Sequence, residues 1–141
     1  MAKKGLDMSK EYAEKTGVWS YEKLKDSTLA LKELSDYEKL STEKRYVIFC
    51  IQDNTDFTKN FLLLFPIAFT KVWIESGSIR IITEQGTEEL RKTLEIEKIP
   101  SAIIKMNDGT IRNITNEEEI RTFIKNLSFY DCDIEDNTEL K

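Results

Sequence analysis

The sequence predicts an α/β fold, a central mixed sheet with helices on both faces, and three stretches carry that prediction. Tyr46 to Ile51 (YVIFCI) is a continuous apolar run rich in β-formers, the pattern of a strand covered on both sides. The apolar residues Phe57, Phe61, Leu64, Phe65, Ala68 and Val72 then recur at helical steps, and a second apolar run, Ser78 to Thr83 (SIRIIT), follows them. Strand, helix, strand implies a parallel pair joined by a crossover. Finally, Ser101 to Met106, the turn Asn107-Asp108-Gly109 and Thr110 to Ile114 read as an antiparallel hairpin.

The remaining elements fit around these. Met1 to Gly17 is polar and aperiodic, and residues 1–19 are read as an extension. From Ser20, a candidate N-cap, helical spacing runs through Tyr21, Leu24, Thr28, Leu31 and Leu34. Ser35 to Lys44 is charged and reads as a connection. Asp53-Asn54-Thr55-Asp56 offers several caps for the long helix, and Pro66 inside that helix is expected to kink it. Thr87 to Leu94 is a short helix capped at Thr87. Asn116, with Glu119 as capping-box partner, opens a last helix striped by Ile120, Phe123, Ile124 and Leu127. The domain is therefore drawn over residues 20–127. Residues 128–141, carrying Asp131, Asp133, Glu135, Asp136 and Glu139, are read as an acidic tail.

Composition excludes several classes. A chain of 141 residues is one ordinary domain, and 40% hydrophobic with 33% charged residues is globular rather than disordered. The net charge of −5 without a basic block argues against a dedicated nucleic-acid binder. The longest apolar run, Phe61 to Phe69, is short of the ~20 residues that span a bilayer, so no membrane contact is expected. Lys3 and Lys4 are followed by no apolar core region, so no signal peptide is expected. Cys50 and Cys132, 82 residues apart, form neither a disulfide framework nor a zinc spacing, which points to a reduced, cytoplasmic location. Histidine is absent from the sequence, which removes Ser-His and Cys-His nucleophiles and histidine bases.

The segment Leu94 to Ile111 (LEIEKIPSAIIKMNDGTI) holds an Ile-Pro step, an apolar strand and a Gly-containing turn. Together with the proline-bearing long helix, it resembles the thioredoxin fold over roughly Tyr46 to Leu127. The resemblance implies a three-layer fold with a cis peptide bond at Ile99-Pro100, close to the first turn of the long helix near Thr58. The resemblance also locates a departure. Oxidoreductases of the family carry Cys-x-x-Cys where the first strand gives way to that helix, and the helix N-terminus favours the thiolate there. Counting back from Pro66 puts Thr58-Lys59-Asn60-Phe61 at that place; counting forward from the strand gives Asp56-Phe57-Thr58-Lys59. Neither contains cysteine, so dithiol-disulfide exchange is not carried over.

Other candidate sites are weighed on their residues. Cys50 reads as a small apolar filler of a buried strand, and the acids beside Cys132 disfavour a thiolate there. Asp131 to Asp136 lacks the glycine and final glutamate of a calcium loop, and no metal or cofactor is expected. Glu117 to Glu119 suits a helix first turn. Lys59, near a helix start, could attract an anion. Phe57, Trp73, Trp19 and Tyr12 could anchor a partner, Trp19 best among them, since Phe57 falls on the core phase of its helix.

The expected function is therefore a redox-inactive module that binds protein, a structural or assembly subunit of a larger complex such as a phage particle, not an enzyme. Its expected contacts are Asp56, Thr58, Lys59, Asn60, Ile99, Pro100, Trp19, Tyr12, Phe129 and Tyr130, with Leu6 and Ile134 as further apolar anchors of the tails. The alternative is a monothiol redox or small-ligand-binding enzyme using Cys50 or a site beside Pro100.

Overall fold

The computed structural model describes residues 20–130. The elements in chain order are α1 (Tyr21–Lys25), α2 (Leu34–Leu40), β1 (Tyr46–Ile51), α3 (Asp56–Ile74), β2 (Ser78–Thr83), α4 (Glu88–Thr93), β3 (Ser101–Lys105), β4 (Ile111–Ile114) and α5 (Glu117–Lys125). The sheet order is β2-β1-β3-β4, with β1 parallel to β2 and antiparallel to β3, and β4 antiparallel to β3.

All six residues of β1 are buried, as expected for a strand covered on both faces. Their alternation divides the core in two. Val47, Phe49 and Ile51 join the larger cluster, with Phe61 and Phe65 of α3 and Ile120 and Ile124 of α5. Tyr46, Ile48 and Cys50 join the smaller one, with Leu40 of α2 and Leu90 of α4. The result is three layers. Phe61 is the junction of sheet and long helix, its ring 5.0 Å from Phe49 and 5.8 Å from Phe65. Phe57 lies 6.0 Å from Phe61 and is buried, so its place is the core.

At 19 residues and a mean hydropathy of 1.2, α3 is long and apolar enough to cross a bilayer, although its longest unbroken apolar run is shorter. Its Phe57, Phe61, Phe65, Ala68 and Val72 face is instead buried within the domain. The helix continues through Pro66. The Ile99–Pro100 peptide is cis, and Gly109, at φ 92°, closes the β3–β4 hairpin. The Asn116 side chain caps α5 by accepting from the Glu119 amide at 3.0 Å.

Two parts of the fold differ from expectation. The helix predicted from Ser20 to Leu34 stops at Lys25. Ser20 does cap it, accepting from the Lys23 amide at 3.0 Å. The Ser27 hydroxyl then takes the Leu24 carbonyl at 2.8 Å, and the chain turns out to pair with the free edge of β2. The Ile81 amide donates to the Leu29 carbonyl at 2.9 Å and the Leu31 amide donates to the Ile81 carbonyl at 2.8 Å. Edge pairing satisfies backbone groups that a longer helix would leave open on β2. The expected connection from Ser35 to Lys44 also contains most of α2. The Asp36 carboxylate accepts from the amides of Lys32 and Glu33 at 2.9 and 3.0 Å, and these bonds hold its pKa below the usual value.

The second difference is the end of the domain. Phe129, expected at residues 128–141 as an anchor for a partner, is fully buried in this chain's own larger cluster. Its amide donates to Glu75 Oε1 at 2.8 Å and its carbonyl accepts from the Asn107 amide at 2.7 Å. Arg45 joins the same corner: Nε donates to the Glu75 carbonyl at 2.9 Å, Nη1 donates to Asn107 Oδ1, and the guanidinium lies over the Tyr130 ring at 5.7 Å. The domain thus runs past Leu127 to Phe129, and Phe129 is withdrawn as a partner contact. A Cβ on Gly77 would stand 2.6 Å from the Phe129 ring, so only glycine leaves room for it.

Phe129→Ala is expected to destabilise the fold by ~3–5 kcal/mol through the cavity it leaves. Gly77→Ala should cost about 1–3 kcal/mol by overpacking the same spot. Urea denaturation of the two variants checks both. A midpoint for Phe129→Ala equal to that of the parent would return residues 128–130 to the tail.

Candidate functional site

The strand register assembles the candidate site at one end of the sheet. Cys50 pairs with Ser101, so Pro100 comes beside the C-terminal end of β1, where residues 52–55 lead into α3. Asp56 to Asn60 and Ile99-Pro100 therefore share the carboxyl end of the parallel pair, the usual place for ligands on open α/β sheets. Phe129 and Tyr130 lie at the opposite end, beside Glu75 and Asn107. Tyr12, Trp19, Leu6, Cys132, Ile134 and the Asp131–Asp136 acids lie outside the described residues.

The helix start decides between the two registers left open above. Thr55 is the N-cap, so the first turn is Asp56 to Lys59. Thr55 went unsingled in the sequence, although Thr is a good N-cap and Thr55 and Thr58 stand at the same spacing as Cys-x-x-Cys. The two hydroxyls are 3.0 Å apart. The Thr58 hydroxyl, buried, donates to the Gln52 carbonyl; the Thr55 hydroxyl donates to Thr58 Oγ1 and accepts from the Thr58 amide at 3.1 Å. Each hydroxyl proton is committed to a neutral acceptor, and no base faces either oxygen through these bonds. The pair is a clasp between strand end and helix start.

The anion site considered for Lys59 fares similarly. Lys59 is exposed, the Thr58 amide is taken by its cap, and Asp56 itself supplies negative charge at the helix N-terminus. Asp56 and Asn60 are exposed, while Ile99 and Pro100 are half-buried, Ile99 against the smaller core cluster. Among the described residues, no three His, Cys, Asp or Glu side chains converge as metal ligands.

Cys50 is the described thiol, and it faces the smaller core cluster, not the α3 layer. Burial pushes its pKa up to about 12, against a weaker lowering by Arg91. The thiolate that redox chemistry needs is therefore suppressed. Opposite it, Ser101 Oγ is buried without a hydrogen-bond partner among the described residues.

With this geometry in view, comparison with solved structures is informative. The fold is similar to mitochondrial thioredoxin 3 from Saccharomyces cerevisiae in its oxidised form, at 15% identity and a TM-score of 0.52, covering 72% of this chain and all (100%) of that one. It is similar to Fasciola hepatica thioredoxin at 16% identity and a TM-score of 0.53, covering 70% and 98%. A chain from a structure described for the thiol resolving mechanism in yeast mitochondrial 1-Cys peroxiredoxin via glutathione/thioredoxin systems matches at 15% identity and a TM-score of 0.53, covering 70% of this chain and 93% of that one. No protein-family model and no curated protein matches the chain. At these identities the likeness establishes the fold alone: the chain has a thioredoxin-like α/β fold.

Two outcomes follow. Thr55→Ala should cost ~1 kcal/mol as a lost N-cap, and thermal unfolding of the variant tests it. Because the folded pKa of Cys50 lies above its unfolded value of about 9, the folded state keeps a proton that the unfolded chain releases as pH rises. That contribution is complete below pH 9 and lost towards pH 12. Urea midpoints measured across this window should fall less steeply for Cys50→Ala than for the parent; equal slopes would show the thiol to be solvated.

Proposed function

We propose that this chain is a redox-inactive, thioredoxin-like module that binds protein, serving as a structural or assembly subunit of a larger complex in a reducing compartment or in an assembled particle. The observation that carries the reading is the Thr55–Thr58 clasp. It stands at the strand-to-helix junction, at Cys-x-x-Cys spacing, with both hydroxyl protons spent inside the chain. Cys50, buried on the other face of β1, is no substitute. Binding is supported by the exposed residues Asp56, Lys59 and Asn60 beside Ile99 and Pro100, and by Tyr130 at the far end. Tyr12 and Trp19 remain proposed contacts from the sequence alone.

The test is reduction of insulin disulfides by dithiothreitol, with and without the protein. The expected result is no acceleration by the parent chain, and recovery of the same stoichiometric protein partner with parent and Cys50→Ser. Acceleration that Cys50→Ser or Cys132→Ser abolishes would establish the monothiol enzyme instead.

A further inference from the structure

The outward face of α3 is apolar where a surface helix is ordinarily polar. Leu63, Ile67 and Ile74 are 57%, 47% and 67% exposed, and the adjoining Trp73 is 73% exposed. Their spacing of four and seven residues, with Thr70 between, aligns Leu63, Ile67 and Ile74 in one stripe along the helix, opposite the face that packs on the sheet. Lys59 and Lys71 border this stripe, and Lys71 Nζ donates to the Lys125 carbonyl of α5. On a chain of net charge −5, this is an apolar strip edged by cations.

We propose that the stripe is covered by this chain's own acidic segment, residues 131–141. The inference adds an intramolecular surface to the binding reading above. Three observations select this occupant. The first is where the described chain leads. The Phe129 amide is bonded to Glu75 Oε1 at 2.8 Å, and Glu75 is the C-cap of α3, next to Ile74, so the segment departs from the end of the stripe. The second is reach. Eleven residues extend to about 36–40 Å. The stripe from Leu63 to Ile74 is only about 16 Å long at the helical rise. The third is chemistry. The segment carries five acids (Asp131, Asp133, Glu135, Asp136, Glu139) against one lysine, with Ile134 and Leu140 as apolar groups. Its acids suit Lys71 and Lys59, and its two aliphatic side chains suit the strip between them. Removing that apolar surface from water is the favourable term, and the ion pairs supply register more than strength.

The experiment compares methyl-labelled spectra of the full chain with those of the full-length double variant Ile134→Asp, Leu140→Asp, which leaves the folded core untouched. The methyl resonances of Leu63, Ile67 and Ile74 and the Trp73 indole signal are expected to shift in the variant, while those of Ile48 and Ile104 stay in place. A chain ending at Tyr130 should shift the same signals in the same direction. Self-association of the variant alone would also support the proposal, since it marks an uncovered stripe. Coincident stripe signals in parent and variant would overturn it. So would stripe signals that move with parent concentration, which would seat a second copy there, or broadening by phosphatidylcholine vesicles that is equal in parent and variant. None of these outcomes bears on the insulin assay, so the redox-inactive reading stands or falls separately.

Discussion

The burial of β1 on both faces is the constraint on which the rest of this structure depends. Each of its six residues is at most 1% exposed, and each face has its own helical layer. Fully burying a large aliphatic or aromatic side chain contributes ~1.5–3 kcal/mol. Losing either layer would therefore expose half of the strand and also strip cover from its neighbours β2 and β3. That double demand explains why two short helices, α2 and α4, appear in a region of charged, weakly periodic sequence. Leu40 and Leu90 roof the Tyr46, Ile48 and Cys50 side.

The same demand bears on chemistry. A thiol on β1 is dry, and desolvation keeps it protonated. Just past the strand end α3 begins, and the chain comes off the buried sheet. There this chain places threonines. They perform the structural half of the task, capping the helix and tying it to the Gln52 carbonyl, without the polarisable sulfur that exchange chemistry needs. Fold and reactivity are separable because the sheet and helices need only burial and capping at this junction, which hydroxyls provide as well as thiols.

The opposite end of the sheet is closed by polar groups around one aromatic ring. Arg45 engages Glu75 and Asn107, Glu75 and Asn107 hold the backbone of Phe129, and Gly77 yields the space for its side chain. Two hydrogen bonds of the Phe129 backbone fix its position in this corner. The stripe on α3 acquires meaning from this geometry: it ends where the chain leaves.

The sequence by itself determined much of the fold. Period and run length are local properties, so Tyr46 to Ile51, Ser78 to Thr83 and the proline-bearing helix were legible with their boundaries nearly unchanged. The lack of a thiol at the helix start was equally legible, since it is a matter of composition. Tertiary structure alone decided the rest. It halted the first helix at Lys25, because the open edge of β2 offered backbone partners that no local pattern reveals. It moved Phe129 from tail to core, because a lone aromatic after a polar turn carries no period and its destination depends on a glycine 52 residues earlier. It paired Thr55 with Thr58, because which of four candidate caps starts α3 depends on where β1 releases the chain. And it left Leu63, Ile67 and Ile74 exposed on the face opposite the predicted core stripe, because among the described residues no layer packs on that side of α3.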